Sequence, residues 1–125
     1  MTADRHKAVV HRLVDEVMNA GRLEVADELY TPELSTRARE WIAPFRESFP
    51  DVRMEIVQLV AEGDTVAARF ICTGTHLGPW RGHEPTGRRF RVDEVYFFAF
   101  ADGRIAKAWG LEDTFRRLRQ LRLLG

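Results

Sequence analysis

The feature that most constrains this chain is a change of hydrophobic period at Pro50. Before it, apolar side chains recur at three- and four-residue spacing, as one face of a helix requires; after it they alternate every second residue, as a half-buried strand requires. Helices first and a meandering antiparallel sheet afterwards make an α+β fold, with the helices packed on one face of the sheet. A sheet that curls around those helices encloses a cavity between its concave side and the helical layer.

In the helical half, residues 4–19 carry Val9, Val10, Leu13, Val14, Val17 and Met18 on one face, and Gly21 supplies a stop. A second short helix spans residues 23–30 and ends at Pro32. A third spans residues 35–49 with Trp41, Ile42, Phe45 and Phe49 as its stripe, and Pro44 inside it predicts a kink or a break. Val52, Met54, Ile56, Gln58 and Val60 then form one side of a first strand, and Glu62-Gly63-Asp64 turns into a second over residues 65–76. Residues 78–87, rich in Gly and Pro, read as a loop. A third strand covers 88–100, Asp102-Gly103 is a tight-hairpin signal, and a fourth strand covers 104–111. Residues 114–124 form a closing helix, with Asp113 or Thr114 as its cap. Phe115, Leu118 and Leu121 are its apolar face, opposite a solvated face of Arg116, Arg117, Arg119 and Arg122.

Length and composition fit one globular domain over residues 1–125, since 45% hydrophobic and 30% charged residues are ordinary proportions. A formal net charge of zero argues against a nucleic-acid partner, because phosphate binding needs a basic excess. No apolar run nears the roughly 20 residues that span a bilayer, so no membrane role is expected. Cys72 has no second cysteine to pair with, and the polar start MTADRHK lacks an export signal; both predict a cytoplasmic chain. The histidines show no metal-ligand spacing, so neither a metal nor another cofactor is expected.

Several segments carry a resemblance: VVHRLVDEVMNAGRLEVADELYTPE, FRESFPDVRMEIVQLVAEGDTVAARF, GTHLGPWRGHEPTGRRF, ADGRI and LRQL. In this order and spacing the chain resembles the SnoaL-like proteins, the small polyketide and ester cyclases of the nuclear-transport-factor-2-like superfamily. The resemblance implies a cone-shaped α+β barrel, with N-terminal helices in the concave face of a curved antiparallel sheet. It also implies a homodimer through the outer sheet face. The activity implied is ring closure by intramolecular aldol condensation without metal or organic cofactor. In that family an aspartate on the last strand is the acid/base; a histidine on the preceding strand and an asparagine after the helices assist. Aligned on ADGRI, the aspartate position falls on Gly110 and the histidine position on Tyr96, and the segment bearing the asparagine is largely absent after Pro32.

The remaining residues offer other chemistry. Aldol-type ring closure needs a base beside a carbonyl and donors for the enolate. Glu94, Tyr96 and Phe98 share one facing of the third strand, where burial would raise the Glu94 carboxyl and Tyr96 would donate to an oxyanion. The structural alternative is that Glu94 pairs with an arginine and Tyr96 fills core. His76 is either an assisting group or, more plainly, the hydrogen-bonded anchor of the loop after it; His83 either reaches over a pocket mouth or faces water. Glu112 shares the facing of Gly110 and is a displaced acid/base candidate. Trp41, Phe45, Phe70, Trp80, Phe98 and Trp109 are more than a solid core needs, so some should line a cavity, with Trp80 as a lid and Tyr30 pointing inward. The substrate-binding set is therefore Tyr30, Trp41, Phe45, Phe70, Trp80, His83, Phe98 and Gly110, and the catalytic set Glu94, Tyr96, His76 and Glu112. The expected function is acid/base chemistry on a small hydrophobic, polyketide-like molecule. The alternatives are a non-catalytic protein that binds or carries such a ligand, and a component that only dimerises within an assembly.

Overall fold

The computed structural model describes residues 2–124. Helix α1 (Thr2–Arg12) runs directly into a π-helical segment, Leu13–Asn19, whose wider i→i+5 turn brings Leu13, Val14, Val17 and Met18 all into the core. A 3-10 turn at Leu23–Val25 leads into the single-turn α2 (Ala26–Leu29). The chain then extends at Tyr30, and the Thr31 amide donates to the Ile105 carbonyl, tying the helical layer to the last strand.

Helix α3 is longer than its apolar stripe predicts, running from Pro32 to Ser48 rather than from residue 35. Pro32 opens the helix instead of closing the one before, because its fixed φ and missing N–H suit a first helical position. Pro44 does not break it. The Glu40 carbonyl loses its helical donor there, but both residues lie on the exposed side.

Among the described residues four strands follow, β1 (Arg53–Glu62), β2 (Thr65–Thr75), β3 (Arg89–Ala101) and β4 (Arg104–Glu112), paired antiparallel in sequence order. Asp102 and Gly103, at φ 50° and 80°, make the β3–β4 turn with both residues left-handed, the geometry that matches strand twist. The inner face is Val66, Ala68, Phe70 and Cys72 of β2 with Phe90, Val92, Glu94, Phe98 and Phe100 of β3, all buried under the helices. In β1 the register slips between Ile56 and Gln58. That bulge reverses the facing, so Leu59 and Ala61 pack inward and Val60, expected beside Met54 and Ile56, points out at 52% exposure.

Helix α4 (Thr114–Gln120) closes the fold, with Asp113 accepting from the Arg116 amide as its cap. Two side chains on it sit opposite to expectation. Arg117 has no exposed surface, whereas Phe115 is 64% exposed. The inward face is set by Arg117 and Leu121, one turn apart, with Leu118 half-buried against the core and Phe115 turned away from it. No helix among the described residues is long and apolar enough to cross a membrane.

The helical layer is pinned to the sheet by Asn19, whose side chain donates to the Met54 carbonyl at 3.0 Å and accepts from the Met54 amide at 2.7 Å. Asn19→Ala leaves both backbone groups without these partners and is expected to cost ~1–3 kcal/mol. Urea denaturation measures this, and an unchanged midpoint would show that water replaces the contact.

Candidate active site

Between the helices and the inner sheet face lies a cavity of about 550 Å³, within the range of small-molecule sites. Leu13, Val14, Met18, Tyr30, Ala38, Met54, Phe70 and Phe98 form its buried apolar wall. Tyr96, Glu112 and Thr114 are its half-buried polar groups, and exposed Arg37, Trp41, Arg81 and Ala108 form its rim. A second depression of about 590 Å³ lies towards the outer sheet face, against Phe97, Trp109 and Lys107. It lacks the buried apolar wall of the first.

Behind the Glu112 wall sits Arg117. Its guanidinium donates to Glu112 Oε1 at 2.6 Å and to Glu94 Oε2 at 2.9 Å. Phe90, Phe45 and Trp80 surround it, with ring centroids 4.4, 5.2 and 5.9 Å from the guanidinium carbon. Register explains the geometry, for Glu94 and Glu112 are cross-strand partners and their carboxylates meet over the inner face. Burial pushes the Glu94 carboxyl above its ordinary value, and neighbouring Glu112 adds to this, against the pull of Arg117. Burial opposes the Arg117 charge, but Glu112 and Glu94 outweigh it and hold the guanidinium above its ordinary value. Glu94 thus takes the structural alternative, an ion pair with an arginine, and does not line the cavity.

Two cross-strand pairs further along, on the same face, Tyr96 faces Gly110. A Cβ on Gly110 would collide with the Tyr96 ring carbons, so the ring lies directly on the glycine backbone. Phe98 stacks on the same ring at 5.7 Å and Phe70 tilts against it at 5.8 Å. Burial pushes the phenol well above its ordinary value, and the nearby carboxylates add to this, so Tyr96 is a neutral hydrogen-bond donor at physiological pH.

Of the residues singled out in the sequence, Tyr30, Trp41, Phe70, Tyr96, Phe98 and Glu112 meet in the cavity. The others lie elsewhere. Phe45 and Trp80 belong to the cage around Arg117. The Trp80 loop is docked rather than free: Leu77 and Gly78 amides donate to the Ser48 carbonyl, and Ser48 Oγ donates to the Pro79 carbonyl. His76 is fully buried, and its Nδ1 accepts from the Thr86 amide at 3.2 Å, anchoring that loop. Burial lowers the His76 pKa, which keeps the ring neutral. His83 exchanges backbone hydrogen bonds with Trp80 and is half-buried outside the cavity lining. Trp109 lies on the outer sheet face at 57% exposure. Among the described residues no three His, Cys, Asp or Glu side chains gather as metal ligands.

Sequence reasoning missed Arg117, Arg37 and Arg81. The one signal for Arg117 was its i,i+4 spacing to Leu121, which puts an arginine on the buried side of a short helix.

Comparison with known proteins adds to this geometry. The family model described as SnoaL-like polyketide cyclase matches residues 8–121. The chain is 34% identical over 107 residues to the aklanonic acid methyl ester cyclase AcmA of Streptomyces galilaeus, covering 82% of this chain and 72% of that protein. It is 28% identical to the nogalonic acid methyl ester cyclase of Streptomyces nogalater, covering 82% and 87%. Among solved structures, AclR of Streptomyces galilaeus, described as a candidate hydroxylase, superposes with a TM-score of 0.88 at 26% identity, covering 98% of this chain and 83% of that one.

The buried triad makes a prediction about pH. Glu94 holds its proton more tightly folded than unfolded, so its contribution to stability is full below 4.5, its ordinary value, and is lost as pH rises through the higher folded value. Glu94→Gln removes that titration. The variant should therefore gain stability relative to the parent as pH rises from 4 to 8 in denaturant titrations. A relative stability that moves the other way would mean the fold holds Glu94 as a favoured anion.

Proposed function

The chain belongs to the SnoaL-like polyketide cyclase family, and we propose that it closes a ring in a small apolar, polyketide-like molecule by cofactor-free acid/base chemistry. The observation that carries this reading is the meeting of Glu112 and Tyr96 in one apolar cavity wall, with Glu112 held from behind by Arg117. Arg117 binds Glu112 through Oε1, and Oε2 makes no hydrogen bond among the described residues. Glu112 Oε2 is then the base that takes a proton from carbon beside a carbonyl, and the Tyr96 hydroxyl donates to the enolate oxygen as it forms. The enolate carbon attacks a second carbonyl of the same molecule, and the proton on Glu112 returns to the new alkoxide. Atoms are conserved, so the product is an isomer of the substrate. Glu94 is a positioning residue in this scheme, sharing Arg117 and so fixing where Glu112 sits.

On the alignment implied by the resemblance, the family's aspartate position is Gly110, two residues before Glu112 on the same facing of β4. Tyr96 lies over Gly110 and fills the space a side chain there would need, which supports a paired change in which Glu112 takes over proton transfer. We read the protein as a cytoplasmic homodimer. Val95, Phe97, Trp109 and Leu111, each exposed by more than a third on the outer sheet face, form the apolar patch that would pair two copies.

The test is turnover. Aklanonic acid and its methyl ester, incubated with the chain and followed by liquid chromatography and mass spectrometry, should yield a ring-closed isomer of unchanged mass. Glu112→Gln should lower the rate by ~10²–10⁴-fold and Tyr96→Phe by ~10–10²-fold. A product heavier by one oxygen would place the chemistry with the hydroxylase description of AclR, and binding without turnover would make the chain a carrier.

A further inference from the structure

The cavity lining holds three charged side chains, Arg37, Arg81 and Glu112. Glu112 is already compensated by Arg117 at 2.6 Å. Neither Arg37 nor Arg81 takes part in an ion pair among the described residues. The rim of an apolar cavity thus carries two guanidinium groups outside any ion pair among the described residues, in a chain whose formal net charge is zero.

Arg81 is more than a solvated surface group. Its backbone sits in the left-handed region at φ 51°, which few residues other than glycine adopt. Its guanidinium lies 5.2 Å from the centroid of the Trp80 ring. Trp80 is itself held by the paired backbone bonds to His83 and by the docked loop, so the guanidinium rests on a fixed platform. Arg37 comes from α3, one turn before Trp41, and both line the cavity. One guanidinium from a helix and one from an anchored loop therefore border the same opening.

We infer that the ligand of this cavity bears a carboxylate, held at the rim by Arg37 and Arg81 while its apolar rings enter past Trp41, Tyr30 and Met54. The inference rests on the reading of the cavity as a ligand site. Guanidinium forks match carboxylate oxygens, and the apolar wall rejects the charged end. Glu112 repels it as well. These effects impose one orientation, carboxylate outward and rings inward, which delivers the interior of the molecule to Tyr96 and Glu112. An ester of the same ring system keeps the apolar burial and loses the ionic contact. In this the chain parts from the relatives named for methyl esters.

Anthraquinone-2-carboxylate and its methyl ester serve as probes, with binding followed by calorimetry and by quenching of tryptophan fluorescence. The parent chain should bind the acid at least ~10-fold more tightly than the ester, a preference that weakens as salt rises. Arg37→Gln and Arg81→Gln should each lower acid affinity ~5-fold or more and leave ester affinity within about twofold. Equal binding of the two probes, or a preference unchanged in both variants, overturns the inference and leaves the cavity reading intact. Failure of both probes to bind overturns the two together.

Discussion

A guanidinium with no exposed surface is the constraint around which this structure is arranged. Arg117 reaches under the sheet from a helix of seven residues, and a buried charge is tolerated only when paired and hydrogen-bonded. Two carboxylates take its two terminal nitrogens and three aromatic rings enclose it, with Nε left unpartnered among the described residues, and this arrangement fixes much else. Cross-strand pairing of Glu94 with Glu112 aligns β3 with β4, and Phe45 and Trp80 bring in α3 and the docked loop. The carboxylates also differ in consequence. Glu94, at 4% exposure, is buried against the guanidinium, whereas Glu112, at 31%, also lines the cavity.

The same logic joins Tyr96 to Gly110. The glycine is where the ring rests, so no side chain can be added at Gly110 unless Tyr96 moves. A neutral phenol over bare backbone and a carboxylate braced from behind stand in the cavity's largely apolar wall, below two arginines at its rim. Membership of a cyclase family speaks for the enclosure, whereas the chemistry rests on the few positions that face into it.

The fold was legible in the sequence almost throughout, because period changes and turn residues are local signals. The Asp102-Gly103 turn and the alternation of β2 and β3 are examples. What escaped was non-local. The bulge at Val57 leaves no mark in composition yet reverses the facing of Val60. Pro32 is as consistent with a helix stop as with a helix start until Thr31 is seen bonded to Ile105. At the site, the places of Tyr96, Phe98 and Glu112 followed from strand alternation taken together with the facing that the family resemblance implies. The partner of Glu94 did not, since an arginine among arginines on a short helix looks solvated unless its spacing to Leu121 is weighed against its charge. Phe45 and Trp80 were misplaced for the same reason, as aromatic cages have no sequence signature of their own.

Whether Arg117 is a buried hub or one more surface arginine is decided by equilibrium denaturation of Arg117→Met, alone and with Glu94→Gln. Arg117→Met should lose ~3–5 kcal/mol, because Glu94 is left buried without its partner. Adding Glu94→Gln should recover part of that loss, a non-additivity that marks direct coupling. A change within ~0.5 kcal/mol for Arg117→Met, as expected of a solvated side chain, would contradict the buried hub.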